Sequence, residues 1–308
     1  MSESEALLHS IEEALGLLQD RTAPPARQAL VTQPLSSLLE KCQHTSAEIA
    51  ARPPEPIRTI HHFACTGGTL FSKCLAVMPN TQLLSEVDPL STMRDLMFAP
   101  SDLILHLRHN LRPVPDETLV SLFLAGLEVL YDHSNTTGTR LVLRDHTHSH
   151  FCTGAEIPDR PTFQAVIAQK FPILSVVTVR HPLDSFLSLR YQKWDLFLPR
   201  TFDEYCKRYL AFLTCYEGVE VFKYEDFIAD TDKTLAAICA VLQVPFVPDV
   251  LDLLSVVGLT GDSGRGGLVI EKRARRSVPE DVAAECLTSS TYTTLCARLG
   301  YDPDSQAQ

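Results

Sequence analysis

Ile57-Arg58-Thr59-Ile60-His61-His62-Phe63-Ala64-Cys65-Thr66-Gly67-Gly68-Thr69-Leu70 is the stretch on which the reading of this chain turns. Its first eight residues read as a strand, Cys65 to Thr69 as a turn, and Leu70 to Met78 as a helix. Paired glycines let backbone approach an anion closely, and the N–H groups opening the following helix present positive dipole to it. A tight strand-to-helix connection alone accounts for such a turn equally well. The spacing excludes an ordinary nucleoside-triphosphate loop of the form G-x-x-x-x-G-K-[ST], because Lys73 lies six residues after Gly67 with no glycine before it.

Downstream, the same grammar repeats. Thr81 to Ser85 reads as a strand, Asp116 to Tyr131 as a helix, Arg140 to Arg144 as a strand and Pro161 to Lys170 as a helix. Ile173 to Val179 is almost continuously apolar, as suits a strand buried on both faces. Helices near Asp184 to Tyr191 and over Thr201 to Gly218, a strand over Val219 to Lys223, and a helix over Asp232 to Leu242 complete the series. This alternation predicts an α/β domain of three layers, a mostly parallel central sheet between helices. Upstream, Leu7, Leu8, Ile11, Ala14, Leu15 and Leu18 recur at helical steps, and a second helix is expected over Leu35 to Ala51. The proline-rich Arg52 to Pro56 then closes the region. The expected organisation is a helical N-terminal extension over 1–55, which offers a surface for a homodimer, and an α/β domain over 56–308.

Lys+Arg of 27 against Asp+Glu of 38 leaves a net charge of −11, a field that repels polyanions at long range. Nucleic acid is therefore not an expected partner, and an anionic ligand needs a local site. Nine cysteines without a C-x-x-C pair suit a reducing compartment, and no uninterrupted apolar stretch of spanning length is seen; a cytoplasmic location without a membrane span is expected.

In a parallel sheet, ligands bind beyond the carboxyl ends of the strands. Three further segments there are chemically loaded. Arg144-Asp145-His146-Thr147-His148-Ser149-His150 holds three histidines at two-residue spacing, which would share one face if the strand continued and so invites a metal reading beside a proton-acceptor one. Arg180 ends the most buried strand and needs an anionic partner, either a ligand or, locally, Asp184; Ser188 lies two helical turns on. Finally Thr260 to Gly267 is glycine-rich and leads into Lys272, Arg273, Arg275 and Arg276, a solvated face or a lid over an anion.

Taken in this order, the segments resemble the P-loop-like sulfotransferases that use 3′-phosphoadenosine 5′-phosphosulfate (PAPS), over about Ile57 to Arg276. Ala64 to Thr69 is similar to the family's 5′-phosphosulfate loop, usually Pro-Lys/Arg-Ser-Gly-Thr-Thr. Arg180, Pro182, Asp184 and Ser188 are similar to its 3′-phosphate motif, and Arg144-Asp145-His146 to its Lys-x-His, whose histidine is the catalytic base. Phe222 to Phe227 resembles a structural landmark, and Gly261 to Arg276 more loosely the cofactor-covering loop. The resemblance implies that Cys65, Thr66, Gly67, Gly68 and Thr69 hold the 5′ end, that Arg180 and Ser188 clamp the 3′-phosphate, that Arg265 and Arg273 cover the donor, and that His146, aided by Arg144, is catalytic. It also implies PAPS as donor, 3′-phosphoadenosine 5′-phosphate (PAP) as product, and a small-molecule or carbohydrate hydroxyl as acceptor, with no metal.

The chain departs from the family at Cys65, where a Lys or Arg usually stabilises the leaving oxygen. A thiol carries no permanent charge. Arg144, His61, His62 or the late basic cluster is expected to replace it. Two rival readings remain open: a nucleotide-binding protein of the same fold without transferase activity, and a metal-dependent hydrolase using His146, His148 and His150.

Overall fold

A computed structural model describes residues 35–91, 93, 101–108, 110–112, 114–259, 270 and 274–303. The helix expected over Ala6 to Leu18, and with it Arg265 and Arg273, lie outside the described residues. The chain divides into two compact units, Met1–Pro54 and Glu55–Gln308. In the first, the described helix is Leu35–Ala50, with His44 and Glu48 one turn apart at 3.4 Å.

The second unit is built on strands β1 (Ile57–His62), β2 (Thr81–Val87), β3 (Arg140–Asp145), β4 (Thr153–Gly154), β5 (Ile173–Val179), β6 (Leu196–Phe197) and β7 (Glu220–Lys223). Five of them form a sheet in the order β2-β3-β1-β5-β7, every neighbouring pair parallel. The short β4 and β6 pair separately. Parallel strands need crossover helices on both faces, and the apolar clusters divide accordingly. Ile60 of β1 joins Phe71, Leu75, Leu235 and Ile238 on one face, whereas Ile57 packs with Leu124, Leu127, Val166 and Ile167 on the other. Phe63, just past β1, joins Phe186, Phe212 and Leu295. Alternation along β1 therefore puts Arg58, Ile60 and His62 on one side and Thr59, His61 and Phe63 on the opposite one.

Helix starts follow local chemistry. Thr162, Thr201, Asp230 and Ser289 accept from the amides of Ala165, Glu204, Lys233 and Tyr292, each satisfying one of the donors that the first helical turn leaves without a partner. Pro182 occupies the first turn of Pro182–Tyr191, where its missing N–H is not needed.

The main series of strands and helices lies where the pattern predicts it. Differences are local: β2 runs on to Val87, the helix from Asp116 continues to Thr137 before Gly138 ends it in a left-handed conformation, and helices Glu280–Thr288 and Ser290–Leu299 extend the domain beyond the expected series. The histidine segment does not continue β3. It turns into a short helix, Thr147–Phe151, so the period-two face that would align three imidazoles is not formed.

A buried polar chain links the central strands. The Tyr216 hydroxyl donates to Asp145 (2.6 Å), Asp145 meets His61 Nδ1 (2.8 Å), His61 Nε2 meets Thr59 Oγ1 (3.0 Å), and Thr59 meets Ser175 (2.7 Å). Buried polar groups of this kind cost stability unless every member is satisfied. Here each neighbour supplies the next, which fastens β3, β1 and β5 together just below their carboxyl ends.

Candidate active site

From β1 the chain crosses toward β2 and β3, and from β5 it passes toward β7. The carboxyl ends of β1 and β5 thus frame the point where connections diverge, the place where open α/β sheets take ligands. The glycine turn leaves β1 there, and Arg180 leaves β5.

Gly67 has φ +93° and a Cβ on it would lie 2.4 Å from the Tyr224 ring; a Cβ on Gly68 would lie 2.3 Å from the His62 ring. Both positions admit only hydrogen: one because of its left-handed backbone and the ring above it, the other because of the ring beneath. No side chain caps the helix that begins at Gly68. Within the turn, Leu70 N and Phe71 N bond back to Gly67 O (2.9 and 3.4 Å). Thr66 is buried and its hydroxyl donates inward to Phe63 O (2.7 Å), so its side chain fixes the turn. Cys65 has φ +62° and packs against the apolar cluster around Phe63 and Phe151.

On the facing side, Arg180 lays its guanidinium over the Tyr224 ring, 4.7 Å from the centroid. Its backbone is clasped by the Tyr209 hydroxyl, which contacts both Arg180 N (3.1 Å) and Arg180 O (3.2 Å). Asp184 is not its partner. Arg275 takes that carboxylate, Nε–Oδ1 2.8 Å and Nη2–Oδ2 3.3 Å, and among the described residues no salt bridge reaches Arg180. The neighbouring Arg276 stacks over Tyr191 at 3.9 Å. Of the late basic cluster, then, the described arginines run along the Pro182–Tyr191 helix. Ser188 is buried in that helix. Tyr224 and Glu225 brace these loops: Glu225 accepts from His181 N (3.0 Å) and from the Tyr301 hydroxyl (2.6 Å), consistent with a structural landmark.

The β2–β3 side is different in kind. Arg144 is buried, and its guanidinium meets Ser85 Oγ (2.9 Å), His62 Nε2 (3.1 Å) and Glu86 Oε1 (2.5 Å). Burial, and after it the Arg144 charge, push His62 well below its usual value. His62 is therefore a neutral ring and no substitute for the cation missing at Cys65. His61 is spoken for on both nitrogens by Asp145 and Thr59. His146 stands at the start of the Thr147–Phe151 helix, 23 % exposed, with Nε2 3.4 Å from the second oxygen of Glu86. Burial raises the Glu86 carboxyl, while Arg144 and then His146 pull it back down.

The three histidines have separate surroundings. His148 stacks on His146 (centroids 6.1 Å) and meets the edge of Trp194 (6.4 Å), and burial, with His146 second, pushes it down to about 4. His150 lies on Phe151 and approaches Pro158 O (3.3 Å). Among the described residues no three His, Cys, Asp or Glu side chains converge as a metal set would. Arg208 pins the end of this short helix and the strand after it, donating to the carbonyls of Phe151, Thr153, Gly154 and Ala155 at 2.8–3.2 Å. Phe197 is wholly buried, while Trp194 is 38 % and Tyr191 65 % exposed at the rim.

Glu86, Tyr224 and Arg275 escape the sequence reading as site residues. The first carries no motif, the second reads as a landmark only, and the third is one cation among four. The signal that could find them is positional: each stands at a strand's carboxyl end or beside the helix that comes after one.

Comparison with solved structures gives the fold its class. The chain is similar to the sulfotransferase domain of the Synechococcus PCC 7002 olefin synthase, with a TM-score of 0.50 and 18% identity over 82% of this chain and 96% of that one. It also matches the sulfotransferase domain from the curacin biosynthetic pathway (TM-score 0.46, 19% identity, 80% and 98% covered) and a mouse sulfotransferase complexed with PAP (0.36, 13%, 68% and 66%). No protein-family model and no curated protein matches the sequence. The chain has the sulfotransferase fold, a parallel sheet with flanking helices. Among the described residues no helix is long and apolar enough to cross a membrane.

Proposed function

We propose that the protein is a PAPS-dependent sulfotransferase acting on an acceptor hydroxyl. The observation that carries this reading is Tyr224, whose ring packs on Gly67 with one part and supports the Arg180 guanidinium with another. It joins a helix N-terminus without a side-chain cap to a guanidinium that no carboxylate reaches among the described residues. That pairing suits a ligand with two separate anionic ends, such as a 3′,5′-bisphosphorylated nucleoside.

In this reading the amides of the Gly67–Thr69 turn hold the 5′ end, and Arg180, with Ser188, holds the 3′-phosphate. Arg265 and Arg273 belong to the covering loop. The donor supplies a sulfuryl group: the acceptor oxygen bonds to sulfur as the bond from sulfur to the phosphate oxygen breaks, and PAP leaves with that electron pair. His146 takes the acceptor's proton, and the protein otherwise contributes position and charge neutralisation. Arg144 orders the proton-accepting side through Glu86 and His62. Cys65 contributes its backbone to the turn, and the charge on the leaving oxygen is met by the helix amides.

The test is calorimetry with PAP followed by transfer from labelled PAPS across an acceptor panel. Micromolar PAP binding with turnover supports the reading, and absence of PAP binding overturns it. A second reading, a nucleotide-binding protein without transfer, is favoured by the uncharged Cys65 and by the pairing of Arg144 with Glu86. Tight PAP binding with no turnover on any acceptor selects it.

A further inference from the structure

Glu86 sits where the backbone is forced. Leu84 pairs with Leu143 and Val87 with Asp145, so β2 spends three steps where β3 spends two. The extra residue is a β-bulge, a device that re-aims a side chain beside a functional site. Glu86 itself has φ +60°, a left-handed conformation that a non-glycine residue keeps only where its surroundings enforce it. The neighbouring Val87 O accepts from His146 N (3.2 Å), which ties the bulge to the candidate base.

The result is one carboxylate, 17 % exposed, held between two partners: Oε1 on Arg144 and Oε2 3.4 Å from His146 Nε2. Arg144 is itself anchored by Ser85 and His62, so the carboxylate rests on a fixed cation. A carboxylate is an acceptor only. Facing His146 Nε2, it favours the tautomer that carries the proton on that nitrogen and leaves the lone pair on Nδ1.

We infer that Glu86 is a positioning residue that holds His146 as its Nε2–H tautomer, so that Nδ1 is the atom that accepts the acceptor's proton. The inference rests on the transferase reading for the identity of that proton, while the dyad itself rests on the geometry of β2 and β3 alone. The arrangement resembles in logic the carboxylate behind the histidine of a serine hydrolase, where removing the charge leaves the geometry and spoils the tautomer. It differs in that the carboxylate is carried on a bulged edge strand and steadied by an arginine.

The test reads the tautomer directly, by long-range 1H–15N correlation on the His146 ring at a pH where it is neutral, with His146→Gln identifying its resonances. The wild-type protein is expected to show protonated Nε2 and unprotonated Nδ1; a wild-type ring protonated on Nδ1 overturns the inference without any variant of Glu86. In Glu86→Gln the preference for Nε2–H is expected to weaken, with a fall in kcat of ~10-fold, smaller than that of His146→Ala, at nearly unchanged PAP affinity. An unaltered tautomer in Glu86→Gln overturns it, as does a kcat loss equal to that of His146→Ala, which would make Glu86 the proton acceptor. A wild type with the expected tautomer but no turnover leaves the dyad standing and removes the transferase reading, so the two failures are told apart.

Discussion

At the β5 end of the sheet's carboxyl edge, Arg180 rests on an aromatic ring with no carboxylate on its guanidinium among the described residues; at the β3 end, Arg144 is buried against Glu86 and a neutral His62. The same side chain is used in opposite ways a few strands apart. Where an anion is to be held, a positive charge must be left unbalanced, and an aromatic face supports it without cancelling it. Where a proton is to be moved, a charge left unbalanced would shift the acid–base groups around it, so it is matched by a carboxylate inside the protein. For an anionic ligand the net charge of −11 makes the first device necessary, since the field of the whole molecule offers an anion nothing.

The comparison breaks most visibly if proton chemistry is moved to the wrong side. His146→Ala is expected to lower turnover by about 10²-fold or more while PAP affinity stays within about two-fold, because the ring belongs to the β3 side and is not among the proposed phosphate contacts. Steady-state kinetics together with calorimetry checks this. A parallel fall in PAP affinity would show that the two sides are not separable.

Next in size is the converse change. Arg180→Ala is expected to weaken PAP binding by ~2 kcal/mol, about 30-fold, through loss of a charge-assisted contact, while adenosine 5′-phosphate, which lacks the 3′ group, binds almost as before. Equal losses for both ligands would make Arg180 a structural residue that braces Tyr209 and Tyr224.

Legibility in the sequence divides along the same line. The glycine turn and Arg180 are legible because strand, turn and helix leave a local pattern, and the guanidinium stands at a strand end. Glu86 is not legible, since its role comes from a bulge that depends on the register between β2 and β3, a non-local fact. The alternation of His146, His148 and His150 suggests a shared face only if β3 continues; helix Thr147–Phe151 replaces period two by period 3.6 and separates their surroundings. Arg275 cannot be picked out of its basic cluster, because its partner Asp184 lies 91 residues earlier. Local pairing would assign that carboxylate to Arg180.

Burial on the β3 side also has a consequence for stability. His148, pushed down to about 4, stays neutral in the folded protein while the unfolded chain takes up a proton near 6.5. Between those values the unfolded state binds more protons, so stability falls as the pH falls, by about 2 kcal/mol at pH 5 from this group. His62, His150 and His181 are lowered as well and act with the same sign. Denaturant unfolding at pH 7 and pH 5 is expected to show a smaller acid loss in His148→Asn than in the wild type. Identical losses would place His148 in contact with water and weaken the contrast between an enclosed β3 side and an open crevice.

The smallest effect is expected at Cys65, the position where the sequence resemblance leads one to expect a Lys or Arg. The thiol packs against the cluster around Phe63 and Phe151, and the residue's left-handed backbone shapes the turn. Cys65→Ser keeps that backbone and changes one atom that meets the core, so stability is expected to drop by about 1 kcal/mol for the polar group placed there. PAP affinity and turnover are expected to change by less than about two-fold, since neither side's charge is altered. Cys65→Lys has a different meaning: its ammonium must leave the apolar cluster, and it adds a positive charge to the turn that follows β1. An increase in turnover there, with PAP affinity equal or tighter, would show that the crevice is short of charge on its β1 side. No change would show that the helix amides already suffice. A large loss of turnover in Cys65→Ser, with binding intact, would instead give the thiol a chemical part and break the division between a crevice that holds charge and an edge that moves protons.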